Sequence, residues 1–320
     1  MDDLTTLLHD AVEDVEPTER LGMIRQQAQK APRSRWLVAG GALLASAAVV
    51  AGVAIAVRPD SGPGPGPSKE PTAIDSGAPG TAVATYYLGE TPQGQRLFRE
   101  FHQTKSQDQL GSALRWLTTD PIDPDYSTAW PADAFDGAWI DYEGGLATVL
   151  LNDRSLRERP PGMSAQVARL AIQQVVYTVQ ASAQQRLPVR FQVAGQPIDQ
   201  VYGVPTSEPL SNAPELDVLA LVNISNPTEG RTVEGSFSAD GVASSFEGTV
   251  HWDLTNLDGD MVRDGLAQGT MEDHLTPWET GDIDVSDLPA GPYTFRATTD
   301  DPSGGEGGGP TVDTRTITIR

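Results

Sequence analysis

VEGSFSADGVASSFEGTVHWDLTNLDGDMV, residues 233–262, reads as short strands separated by turn signals. Successive strand side chains point to opposite faces, so of His251 and Trp252 one faces a core and the other solvent. Trp252 is the better core candidate. Asp258-Gly259 stands between two strand-like runs, where an Asp-Gly pair suits a tight hairpin. Outward from this segment the pattern continues. LDVLALVNI, RTVEGSFSA, FEGTVHWDLT, MVRDGLAQG, WETGDIDV, GPYTFRATT and TRTITIR are all strand-like. Seven short strands with turns between them predict an all-β antiparallel sandwich over residues 215–320.

Upstream, VYGVPTSEPLSNAPE (201–215) is a turn-rich connector, and residues 81–205 mix both periodicities. AVATYYLG (82–89) and RLFREFHQT (96–104) are strand-like. DQLGSALRWL (108–117) places Leu110, Ala113, Leu114 and Leu117 on one helical face. GLATVLLN (145–152) is a continuous apolar strand. Ser164 suits the cap of a long helix to about Arg186, with Val167, Leu170, Ala171, Val175 and Val179 inward. VRFQV (189–193) is a further strand. Strands mixed with two helices define an α/β or α+β domain.

The amino-terminal quarter differs. WLVAGGALLASAAVVAGVAIAV (36–57) has no charge, and its roughly 22 residues span about 33 Å as a helix, enough to cross a membrane. Arg25, Lys30, Arg33 and Arg35 precede it, and this bias favours a cytoplasmic amino terminus and an exported tail. A cleaved signal peptide is the competing reading, but the apolar run exceeds the usual length of roughly 7–15 residues. Residues 1–35 form a head in which Leu4, Leu7, Leu8, Ala11, Val12 and Val15 line one face of an amphipathic helix. Residues 58–80, RPDSGPGPGPSKEPTAIDSGAPG, read as a Pro/Gly-rich stalk. The expectation is a multidomain, single-pass protein of the cell membrane. A single transmembrane helix is followed by an α/β (α+β) domain and an all-β sandwich, both extracellular.

The net charge of -22, from 44 acids and 22 bases, falls almost wholly beyond the head. Such a surface repels phosphate backbones, so nucleic acid is not an expected partner. The chain has no cysteine, which excludes disulfides, thiolate metal sites and a lipid-modified cysteine.

The order YYLG-type first strand, GLATVLLN, AQVARLAIQQVVYTV and PVRFQVAGQP resembles the GerMN domain over about residues 82–205. That domain occurs in sporulation and germination proteins and in actinobacterial envelope proteins. Residues 215–320, with LPAGPYTFRATTDDPSGGEGGG and the final TITIR strand, resemble the immunoglobulin-like domain of bacterial spore-germination proteins. The resemblance implies envelope assembly or recognition modules with no established catalytic residues. Glu247 in FEGTV matches an acidic position of that pattern.

Few residues suggest chemistry. His9, His102, His251 and His274 show no metal-ligand spacing, and no nucleophile elbow or phosphate loop is present. Asn256, Asp258 and Asp260 flank the hairpin turn without completing a calcium loop. No catalytic residue, metal or cofactor is expected. The candidate ligand surface comprises Trp130, Trp139 and Tyr142, on a segment read as an aromatic-rich loop (128–145), and Asp300 and Asp301 at the start of DDPSGGEGGGP (300–310). The expected function is a non-enzymatic envelope binding or assembly module whose partner is an envelope protein or cell-wall component. The alternative is an envelope sensor or anti-sigma-like regulator whose head docks a cytoplasmic protein.

Overall fold

The computed structural model describes residues 80–246, 248–301 and 308–320. The head, the apolar stretch 36–57, the stalk up to residue 79, Glu247 and the centre of the 300–310 loop lie outside them. Among the described residues no helix is long and apolar enough to cross a membrane.

The first domain begins with a hairpin, β1 (Thr81–Gly89) and β2 (Arg96–Thr104), extended by β3 (Tyr126–Ser127) on the other side of β1. Between them lies α1 (Gln109–Leu117). Its N-cap Asp108 accepts a bond from Gly111 N at 2.8 Å, and Ala113, Leu114 and Leu117 are buried. A second sheet holds β4 (Phe135–Asp141), β5 (Leu146–Leu151), β6 (Val189–Val193) and β7 (Gln196–Pro197) in that order. The pair β5 and β6 is parallel, and α2 (Ala165–Ala183) makes the crossover that parallel strands require. Ser164 caps α2 by accepting Val167 N at 3.1 Å, as its sequence position predicts. One side of α2, through Ala171, Ile172, Val175 and Val179, joins the core with β5 and β6. Leu170 and Tyr177 instead meet Leu88 and Leu97 of the hairpin. Gln174 is fully buried, yet satisfied by Tyr86 O at 2.9 Å and Ala129 N at 3.3 Å. A short hairpin of β8 (Gln200–Val201) and β9 (Val204–Pro205) ends the domain.

The expected loop at 128–145 contains strand β4. Gly137 introduces an irregularity between Phe135 and Gly137, so the inward set shifts from Phe135 to Ala138 and Ile140 and the period of two is broken. LDVLALVNI is likewise not one strand. It holds a helical turn, α3 (Glu215–Val218), then β10 (Val222–Asn226), because its apolar residues serve two cores. Leu216, Val218 and Leu219 pack on the first domain, whereas Val222 and Ile224 enter the sandwich.

The remaining strands are β11 (Arg231–Val233), β12 (Ser236–Ala243), β13 (Thr249–Thr255), β14 (Met261–Gln268), β15 (Thr276–Asp284), β16 (Gly291–Thr299) and β17 (Val312–Ile319). Their order is β10-β12-β15-β14-β13-β16-β17-β11, and a single residue pair, Gln268 with Glu279, joins β15 to β14. The sheet folds over there, and its two halves bury Phe237 against Phe295 with ring centroids 5.9 Å apart. The sandwich is antiparallel except that β11 runs parallel to β17. Two tryptophans lie over strand glycines. A β-carbon on Gly265 would come within 2.5 Å of Trp252, and one on Gly241 within 2.9 Å of Trp278. The Asp258-Gly259 hairpin forms as expected, with Gly259 at φ +84° and the Asn256 side-chain oxygen accepting Asp258 N and Asp260 N.

Candidate functional site

The two domains meet strand edge to chain. Ala220 N donates to Leu97 O at 2.9 Å, and Arg99 N donates to the Asn223 side chain at 2.8 Å, so the segment entering β10 covers the outer edge of β2. Beside this seam lies a buried ionic cluster. Asp313 and Arg315 share the β17 face that farther along carries Ile317 and Ile319, and all four are buried. Arg315 is 3% exposed. Its Nη1 lies 2.6 Å from Asp123 Oδ2 and 2.8 Å from both Asp313 Oδ1 and the Tyr126 hydroxyl, and its Nη2 donates to Ile224 O at 2.9 Å. Tyr126 donates to Asp313 at 2.6 Å, and Asp313 also accepts Ile224 N. One guanidinium thus faces two buried carboxylates, one from each domain. Burial pushes the Asp123 carboxyl up to about 7, against the pull of Arg315 and of the Asp125 amide.

The turn that carries Asp123 is fixed by Glu100, which accepts Ile122 N at 3.1 Å and Asp123 N at 2.9 Å. Glu100 also pairs with buried His102 at 2.9 Å. Burial alone would raise the Glu100 carboxyl, but His102 and the two amides outweigh it and hold it below the ordinary range. Short-range sequence reading missed this whole network. Its one sequence signal is the alternation of β17, which puts Asp313 and Arg315 on the face of two isoleucines.

The expected surface residues separate. Trp130 is 2% exposed, packs against Phe135 and Tyr202, and donates its indole N–H to Ala171 O at 2.9 Å. It fills the core and does not belong to a surface. Trp139 and Tyr142 are 47% and 61% exposed. Trp139 lies on the outward face of β4, opposite Thr148 of β5, which in turn stands opposite Arg190 of β6. Among the described strands β4 pairs only with β5, and α1 packs against β4. Asp300 lies in the other domain, at the end of β16. It contacts His251 Nε2 at 2.9 Å and Ser245 Oγ at 3.2 Å, and Asp301 is engaged as well. Serine and histidine both meet the carboxylate here rather than each other, which is not the order that activates a nucleophile. The described residues hold no cluster of His, Asp and Glu suited to a metal.

Over the described residues, fold and seam define two β-rich domains, one α+β and one a sandwich, joined by buried ionic contacts. Family models agree with this division. Residues 84–199 match the family described as sporulation and spore germination, and residues 221–306 match the immunoglobulin-like domain of bacterial spore germination. The chain resembles GerMN-domain sporulation and germination proteins that carry a carboxy-terminal immunoglobulin-like domain. No curated protein matches it. Among solved structures, it is similar to the tandem GerMN domains of the sporulation protein GerM from Bacillus subtilis. Identity is 18%, with a TM-score of 0.34, over 65% of this chain and 63% of that one. CopC from Methylosinus trichosporium OB3b matches at 15% identity and a TM-score of 0.22, over 31% of this chain and 92% of that one. The endo-beta-1,4-mannanase from Thermotoga petrophila matches at 10% and 0.24, over 53% and 38%.

Proposed function

We propose that the chain is a membrane-anchored, non-enzymatic module that binds an envelope protein or cell-wall component. Its apolar stretch 36–57 holds it in the membrane, and its two folded domains stand outside. The observation that carries this reading is the exposure of Trp139, on the outward face of β4, and of Tyr142, in the turn that follows it, on a domain packed against its neighbour. Half-exposed aromatics on and beside a rigid strand supply contact area at low entropic cost. The acidic surface fits a protein or neutral glycan better than a polyanion.

The test is photo-crosslinking in cells, with a photoreactive residue at Trp139 or, as control, at Leu257 of the distant β13–β14 hairpin. A specific adduct from Trp139 that the control lacks, and that disappears with Tyr142→Ala, is the expected result. Equal or no adducts from both positions would reject this surface. Protease treatment of wall-stripped cells tests the topology separately. Loss of a carboxy-terminal tag with survival of a membrane-held head is expected, and release of the intact tail without protease would contradict anchoring.

A further inference from the structure

The outer side of α1 and the end of β2 enclose an open depression of about 350 Å³. Thr104, Lys105, Ser112, Arg115, Trp116 and Thr119 line it, and no carboxylate does. In a chain with twice as many acids as bases, the local charge is therefore inverted. Lys105 is the one lysine among the described residues, and neither it nor Arg115 has a carboxylate partner among them.

The walls are fixed before any ligand arrives. Ser112 Oγ donates to Asp108 O at 2.7 Å and accepts Arg115 Nη2 at 2.9 Å and Thr104 Oγ1 at 3.0 Å. This holds the guanidinium at the depression through one nitrogen and leaves its other donors without a partner among the described residues. Trp116 is half-buried and lies parallel on the His102 ring, 4.2 Å away at 9°. His102 is held in turn by Glu100, and the Trp116 carbonyl accepts the Tyr87 hydroxyl at 2.7 Å. The aromatic wall thus rests on a buried network, and preorganisation of this kind lowers the cost of binding.

We propose that this depression binds a pyranose that carries a carboxylate, with the acid group between Lys105 and Arg115 and the sugar ring against Trp116. A guanidinium fork matches a carboxylate, and lysine adds a second point charge. An inorganic anion would have no use for the indole wall, whereas a sugar ring presents C–H groups to it and hydroxyls to Thr104 and Thr119. The volume lies at the small end of ligand sites, which suits one ring. Its lining shares no residue with the Trp139 and Tyr142 surface, and neither reading requires the other.

Calorimetry of the full chain with N-acetylmuramate, N-acetylglucosamine and inorganic phosphate tests it. The two sugars differ in the lactyl carboxylate. N-acetylmuramate is expected to bind at least tenfold more tightly than either of the others, the scale of one charge-assisted contact. Arg115→Gln is expected to weaken it about tenfold or more without lowering the melting temperature. Lys105→Gln serves as the second variant, because it removes a charge without touching Ser112. Equal binding of both sugars, phosphate binding as tightly as N-acetylmuramate, no heat at about 10 mM sugar, or indifference to both substitutions would each overturn the proposal.

Discussion

At Gly241 a β-carbon would sit 1.9 Å from the Asn223 carbonyl oxygen, an atom of the backbone that cannot swing aside. Gly241→Ala must therefore separate β12 from β10 and also press on Trp278. A loss of about 3 kcal/mol or more is expected, read as a lower urea midpoint. Gly137→Ala, which meets nothing within 4 Å, is the control and is expected to stay near wild type. Ser164→Ala removes the cap of α2 and is expected to cost about 1 kcal/mol. These residues also show what a sequence exposes. The cap was legible because its partner is three residues away. The burial of Trp130 was not, because its acceptor, Ala171 O, lies 41 residues further along. Asp300 was legible as an acid at a loop mouth, but its partners reach it from elsewhere, Ser245 from the β12–β13 loop and His251 from β13.

Among the elements, β1, β2, α1, α2 and β6 follow from unbroken local patterns in the sequence, and β5 from its continuous apolar run. Strand β4 does not, because the irregularity at Gly137 shifts its alternation by one residue. Its aromatic residues then read as a loop cluster, although Trp130 precedes the strand and faces inward while Trp139 faces outward. The two tryptophans should accordingly respond differently. Trp130→Ala opens a cavity among Phe135, Tyr202 and α2 and removes the indole bond to Ala171 O, for an expected cost of about 3–5 kcal/mol. Trp139→Ala gives up only a half-buried ring on an outer face, and about 1–2 kcal/mol is expected, well short of the loss at Trp130. Thermal denaturation of the two variants side by side checks the assignment. Equal losses would contradict it.

At the scale of the whole molecule, the seam between the domains depends on charges that composition and local periodicity could not place. Arg315→Ala leaves the carboxylates of Asp123 and Asp313 buried without their cation. A loss of about 3–5 kcal/mol is expected, as for other broken buried pairs. The same cluster predicts how stability depends on pH. Burial raises Asp123 from its ordinary 3.8 to about 7, with Asp313 and Glu229 adding to the rise and Arg315 and the Asp125 amide opposing it. In the folded state the group keeps a proton that the unfolded chain has already released, so its contribution is complete below about pH 4 and is lost as pH rises through about 7. Glu100 has the opposite sign. Its folded carboxyl is depressed, so its contribution is present above its ordinary 4.5 and fails only in acid. Between about pH 5 and 8, Asp123 is therefore the changing member of this pair, and the urea midpoint is expected to fall across that window. Asp123→Asn places an amide nitrogen near donors that face both oxygens, so it should cost some stability at every pH. It should also abolish the decline, because no proton is then left to lose. A wild-type profile that is flat from pH 5 to 8, or a decline that survives in Asp123→Asn, would show that the seam does not hold this proton.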